Sequence, residues 1–107
     1  MKLSGGHDIF GDGAVRLLRT GGHSRGHQMV LAQMEKSGPT LLPGDACYMR
    51  RSLDKMLPPG DPIPEPETAR AALEQIRDFS EKGVKLIFSH PFRDDWTSYP
   101  QPPDFFV

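Results

Sequence analysis

Eleven glycines and eleven prolines divide this chain of 107 residues into short pieces. They cluster at Gly21-Gly22, Pro58-Pro59-Gly60, Pro62 to Pro66 and Pro100 to Pro103. Proline lacks a backbone N–H and locks φ, and glycine loses more conformational entropy than any other residue inside a helix or strand. Long regular elements therefore cannot run through these clusters. The chain is expected to form short elements joined by long loops, where functional sites are usually built.

Between the breaks, the pattern resolves into strands and helices. Gly11-Asp12-Gly13 is a tight turn, because glycine supplies the positive φ such turns need. Residues 14–18 read as a short strand and 28–34 as a strand buried on at least one face. Residues 40–42 begin a third strand after the Ser37-Gly38-Pro39 turn, which makes a hairpin. Residues 50–56 read as a short helix closed by Pro58-Pro59-Gly60. The clearest element is a helix over 65–82, with Ala69, Ala72, Leu73, Ile76 and Phe79 on one stripe. Pro66 suits its first turn, Glu67 favours the positive end of its dipole, and Gly83 stands where a C′ glycine belongs. Residues 84–88 follow as a last strand. The first seven residues and the tail from Asp94 read as irregular. This order predicts a layered α/β or α+β arrangement, one helical layer on one sheet. Such a unit covers one sheet face and leaves the other in need of a partner.

Composition narrows the function classes. Lys plus Arg total 13 and Asp plus Glu 14, a net charge of −1, so no basic surplus points to nucleic acid or an anionic membrane. The one cysteine, Cys47, cannot form an internal disulfide, and the sequence shows no signal peptide. Cytoplasmic is the expected location. No apolar run is long enough to span a bilayer.

The chemistry-bearing residues concentrate at strand ends. Of four histidines, His23 lies in Gly21-Gly22-His23-Ser24-Arg25-Gly26-His27 after the first strand, and His90 closes the last strand in Ser89-His90-Pro91. Asp45 closes a strand in Pro43-Gly44-Asp45-Ala46. Three potential ligands at three strand ends is how α/β sites are usually assembled. Taken singly, a loop histidine is more often a hydrogen-bonded or surface residue, and an Asp after Gly is more often a turn former.

Residues 7–15, read together with Gly22-His23-Ser24-Arg25-Gly26-His27-Gln28, resemble the middle of metallo-β-lactamase-fold hydrolases. Within that superfamily they look most like the N-acyl-homoserine lactonases, the quorum-quenching enzymes. Gly44-Asp45-Ala46-Cys47-Tyr48 is similar to that family's Asp loop, with a Tyr three residues after the Asp. Leu57-Pro58-Pro59, the amphipathic helix and Ser89-His90 follow in family order. The resemblance implies half of an αββα sandwich, its C-terminal half, with one mostly antiparallel sheet and helices on one face. It implies that His23 and His90 each bind one of two zinc ions, that Asp45 bridges them, and that Tyr48 faces the substrate carbonyl. The zinc pair would activate water and polarise the carbonyl of a lactone or related ester. His27 is expected to brace the loop rather than to bind metal, and Cys47 to be a small buried residue.

Several residues depart from the family pattern. No HxHxDH motif, and no HxH at all, occurs in these residues. Gly21 and Arg25 stand where the family usually has Pro, and Ser89-His90-Pro91 replaces Gly-His-Asp. Residues 1–107 are therefore expected to form a single truncated domain, incomplete and inactive alone, whose partner is a complementing N-terminal half or a second copy. A non-catalytic module and a glyoxalase II-like thioesterase remain as alternatives, Tyr48 favouring the lactonase branch.

Overall fold

A computed structural model describes residues 6–60, 62–104 and 107. Five strands form one sheet in the order β1 (Gly6–Asp8), β2 (Val15–Arg19), β3 (Gln28–Met34), β4 (Gly38–Leu42) and β5 (Lys85–Leu86). The first four are antiparallel neighbours, and β5 joins β4 in parallel. A parallel neighbour needs a long crossover, usually helical. Here it carries a 3-10 turn (Gly44–Ala46), α1 (Arg50–Asp54) and α2 (Pro66–Glu81). After β5 comes α3 (Arg93–Ser98).

The expected strands and the two expected helices are all present, and β1, α3 and the 3-10 turn are additional. β1 has no apolar alternation, and its extra partner bonds come from pairing Gly6, His7 and Asp8 with Leu18, Leu17 and Arg16. The β1–β2 turn is held by the Asp8 carboxylate, which accepts from Gly11 N–H (3.0 Å) and Gly13 N–H (2.7 Å). Of the opening segment read as irregular, residues 1–5 lie outside the described residues, while Gly6 and His7 are in this strand. α3 replaces part of the tail read as irregular. Its first turn holds Asp94 and Asp95 at the positive end of the dipole, and Asp95 accepts from Phe92 N–H (3.0 Å). The Tyr99 hydroxyl accepts from Phe88 N–H (2.9 Å) and ties this tail to the end of β5.

Cross-strand partners share a sheet face, so the register divides the side chains into two sets. Leu18 and Met29 form one row, and Leu31, Leu41 and Leu86 the next. These pack with Ala72, Leu73 and Ile76 of α2 and with Ala46, Cys47 and Leu53 in a single core. Met29, Leu41, Leu73 and Ile76 have no exposed surface. The opposite face carries Val15, Leu17, Val30, Ala32 and Leu42. None of these belongs to the core: four are half-buried and Leu42 is exposed. One sheet face is thus covered by helices, and the other carries these partly exposed apolar residues beside the buried Thr40.

Cys47 sits inside the core, its thiol directed at the Met49 carbonyl (3.4 Å). Burial pushes its pKa from 9.0 up to about 11. At pH 8 such a thiol is ionised in only about one molecule in a thousand, and the thiolate is the reactive form. Iodoacetamide at pH 8 is therefore expected to label Cys47 no faster than the chain unfolds. Labelling at the rate of a free thiol, without unfolding, would contradict this burial. Among the described residues, no helix is long and apolar enough to cross a membrane.

Candidate metal centre

Three loops at one end of the sheet carry the three expected ligands. His23 follows β2 in the Gly-rich loop, Asp45 lies in the 3-10 turn after β4, and His90 follows β5. Local backbone chemistry places the first. Gly21 and Gly22 both have positive φ (63° and 84°), which L side chains rarely adopt. Gly22 lies so close to α2 that an added Cβ would stand 2.6 Å from Ala69 Cα. The helix thus seats on the loop, and the next residue is His23.

The side chains converge on Asp45. His23 Nε2 lies 3.7 Å from Asp45 Oδ2, and His90 Nε2 lies 3.4 Å from Asp45 Oδ1. Each carboxylate oxygen faces a different imidazole. The Tyr48 ring packs edge-on against His90 (centroids 4.2 Å apart) and, farther off, against His23 (6.2 Å). His90 N–H also donates to the Tyr48 carbonyl (3.1 Å), which joins the Asp45 segment to the last loop. Among the described residues, His23 Nδ1 is buried with no hydrogen-bond partner, and the ring packs edge-on against Tyr48 and His27.

His27 stands apart in its partners. It accepts the Asp45 N–H at Nε2 (3.0 Å) and contacts Thr20 Oγ1 through Nδ1 (2.6 Å). Both ring nitrogens are occupied, and neither faces the Asp45 carboxylate group. Burial lowers its pKa, opposed by the negative charge of Asp45 and assisted by His23. These bonds match a bracing histidine. Arg25 lines a separate cleft of about 380 Å³ with Arg19, Thr20, Gly21, Glu65 and Thr68, which contains none of the three converging side chains.

Two donors on one tetrahedral zinc, bonded at about 2.0–2.1 Å, stand roughly 3.3–3.4 Å apart. The two imidazole–carboxylate pairs have nearly that spacing, and the two oxygens of Asp45 serve one pair each. Donor type also fits, since imidazole and carboxylate are ordinary zinc ligands. The number of donors falls short: among the described residues, no group of three or more His, Cys, Asp or Glu side chains could hold a metal ion.

Known proteins resemble this chain in sequence and in fold. The chain is 32% identical over 101 residues to the N-acyl homoserine lactonase AttM of Azorhizobium caulinodans, covering 94% of this chain and 38% of that protein. It is 34% identical over 78 residues to AiiA, an N-acyl homoserine lactonase of Bacillus thuringiensis subsp. kurstaki, covering 69% of this chain and 29% of AiiA. The fold agrees. An N-acyl homoserine lactone hydrolase solved with N-hexanoyl-L-homoserine at its catalytic metal centre superposes with a TM-score of 0.80 and 25% identity. That match covers 98% of this chain and 40% of the hydrolase. This chain is a C-terminal half of the metallo-β-lactamase fold, related to the N-acyl homoserine lactonases.

A second solved structure, of a quorum-quenching N-acyl homoserine lactone lactonase, gives a TM-score of 0.79 over 98% of this chain and 42% of that one. No family model matches the chain. The chain spans about two fifths of the length of the AttM lactonases and of these structures. The His23, Asp45 and Tyr48 segments each stand out locally in the sequence. The bonds that join them do not: the Asp45 N–H to His27 and the Ser89 hydroxyl to Gly44 pair residues 18 and 45 positions apart.

Proposed function

We propose that this chain carries one half of a zinc-dependent, lactonase-like hydrolase site, with His23, Asp45 and His90 as metal ligands and Tyr48 beside the substrate carbonyl. The observation that supports this reading is the division of the Asp45 carboxylate, one oxygen toward His23 and the other toward His90. A zinc pair there would supply water activation and carbonyl polarisation. The chain's own part is to hold three ligands at set positions and to present the Tyr48 hydroxyl, a donor suited to an oxygen that gains negative charge. Lactones, and esters of like shape, are the substrate class, following the named relatives.

Residues 1–107 act in this reading as one truncated domain. Each metal position has two donors here, against the four usual for zinc, so the rest must come from other residues. The apolar residues Val15, Leu17, Val30, Ala32 and Leu42, on the sheet face away from the core, support the same conclusion, because a second sheet laid on them would complete a sandwich.

Metal analysis of the isolated chain is the direct test. Equilibrium dialysis against zinc is expected to leave fewer than two ions per chain, with no appreciable lactone turnover. Two tightly held zinc ions together with turnover by the isolated chain would refute the truncated-domain reading. If the remainder of the Azorhizobium caulinodans relative, co-expressed with this chain, restores neither zinc nor turnover, the hydrolase reading itself fails.

A further inference from the structure

The hydrogen bonds around Asp45 form a directed chain. The Ser89 hydroxyl donates to the Gly44 carbonyl (2.9 Å). The same peptide unit continues as the Asp45 N–H, which donates to His27 Nε2 (3.0 Å). An Nε2 that accepts a bond carries no hydrogen, so in the neutral ring the hydrogen lies on Nδ1. Nδ1–H then donates to Thr20 Oγ1 (2.6 Å), and the Thr20 hydroxyl has the carbonyls of Gly21 and His27 as acceptors, each at 3.3 Å. Every bond points the same way, and bonds so aligned polarise one another.

The relay joins four places that are distant in the chain: the end of β2 (Thr20), the start of β3 (His27), the turn after β4 (Gly44, Asp45) and the loop after β5 (Ser89). Its centre is the Gly44–Asp45 peptide, gripped at its oxygen by one side chain and at its N–H by another. Gly44 has φ 57°, and an added Cβ would stand 3.0 Å from His27 Nε2, so the imidazole lies flush against the backbone. The peptide plane sets where the Asp45 side chain leaves the backbone, and that side chain must reach both His23 and His90.

We infer that Thr20 and Ser89 are positioning residues for Asp45, acting through this one-way relay to hold its carboxylate between His23 and His90. The proposal rests on the reading of Asp45 as a metal ligand only for its purpose; the relay exists or fails without metal.

Nuclear magnetic resonance on the metal-free chain tests it. The wild-type His27 ring is expected to be the Nδ1–H form, with Nε2 unprotonated. Thr20→Val removes the acceptor and should let the Nε2–H form appear, while Thr20→Ser keeps the wild-type signature. In Thr20→Val and in Ser89→Ala, the Asp45 amide should exchange several-fold to about tenfold faster relative to the Leu41 amide, the factor a lost neutral hydrogen bond gives. Couplings across Asp45 χ1 should move from one rotamer toward an average. A loss of overall stability would speed both amides alike and would leave the tautomer unchanged. An Nε2–H form in the wild-type chain overturns the relay, as does a Thr20→Val/Ser89→Ala double variant with unchanged Asp45 couplings and exchange. A wild-type chain that shows the relay but never takes up zinc, alone or completed, refutes the metal reading instead.

Discussion

Gly22→Ala is expected to destabilise this fold by about 2–5 kcal/mol, lowering Tm by more than about 10 °C in a thermal unfolding experiment followed by circular dichroism. Two independent costs add. Gly22 has φ 84°, a conformation that costs an L residue roughly 1–2 kcal/mol. The new Cβ would also meet Ala69 Cα at 2.6 Å and Ala69 N at 2.8 Å. These are backbone atoms in the first turns of a 16-residue helix, so they cannot rotate aside, and overpacking of this kind costs about 1–3 kcal/mol. Gly13→Ala provides the comparison. Its φ of 79° is nearly the same, but among the described residues no atom beyond its chain neighbours lies within 4 Å of the added Cβ. That variant is expected to cost only about 1–2 kcal/mol. Equal losses in the two variants would show that α2 does not seat on the Gly-rich loop.

The comparison also shows what the chain's residues disclose before folding and what they withhold. α2 was legible because its stripe of Ala69, Ala72, Leu73, Ile76 and Phe79 recurs at the helical period; the first four are the buried residues of the helix, and Phe79 packs partly buried against the core. β3 was legible for a similar reason, its run of apolar residues lying between glycine-rich breaks. β1 was not, since Gly6, His7 and Asp8 have no alternation and become a strand only through pairing with β2. α3 was hidden by its length of 6 residues and by having one large apolar side chain, Trp96. In the site, the motifs located His23, Asp45, Tyr48 and His90 because each lies in a recognisable local segment. Which oxygen of Asp45 faces which histidine depends on how β4 and β5 pair across a long helical crossover, and no local pattern records that. The Ser89 hydroxyl was read only as a departure at the third motif. Its bond to Gly44 spans 45 positions and follows from the parallel β4–β5 pairing.

If the divided carboxylate is the basis of function, Asp45→Asn should have a larger effect on hydrolysis than any other single change in this chain. Asparagine keeps the shape and one oxygen but exchanges the second oxygen for an NH2 group, which donates and cannot ligate. One of the two histidine-facing positions thus loses its carboxylate donor, and both lose the negative charge between them. Outer-shell partners of metal ligands typically change affinity or activity by 10–100-fold. A shared ligand should exceed that, so kcat/KM for an acyl-homoserine lactone is expected to fall by more than about 100-fold, at least about 2.7 kcal/mol of transition-state stabilisation. The assay requires the completed protein, this chain with the remainder of the Azorhizobium caulinodans relative, and zinc content measured on the same sample. Fold integrity is not at stake in this variant, because Asp45 is partly exposed and its backbone N–H, which His27 holds, is unchanged. Glu74→Ala provides the reference for surface change, since among the described residues Glu74 makes an exposed pair with Arg70 alone, and the variant should lie within about 0.5 kcal/mol of wild type. An Asp45→Asn protein that retains both its zinc and its turnover would place the chemistry elsewhere in the assembled molecule. A loss of turnover with zinc retained at one position per chain would instead show that the two oxygens serve two separate ions.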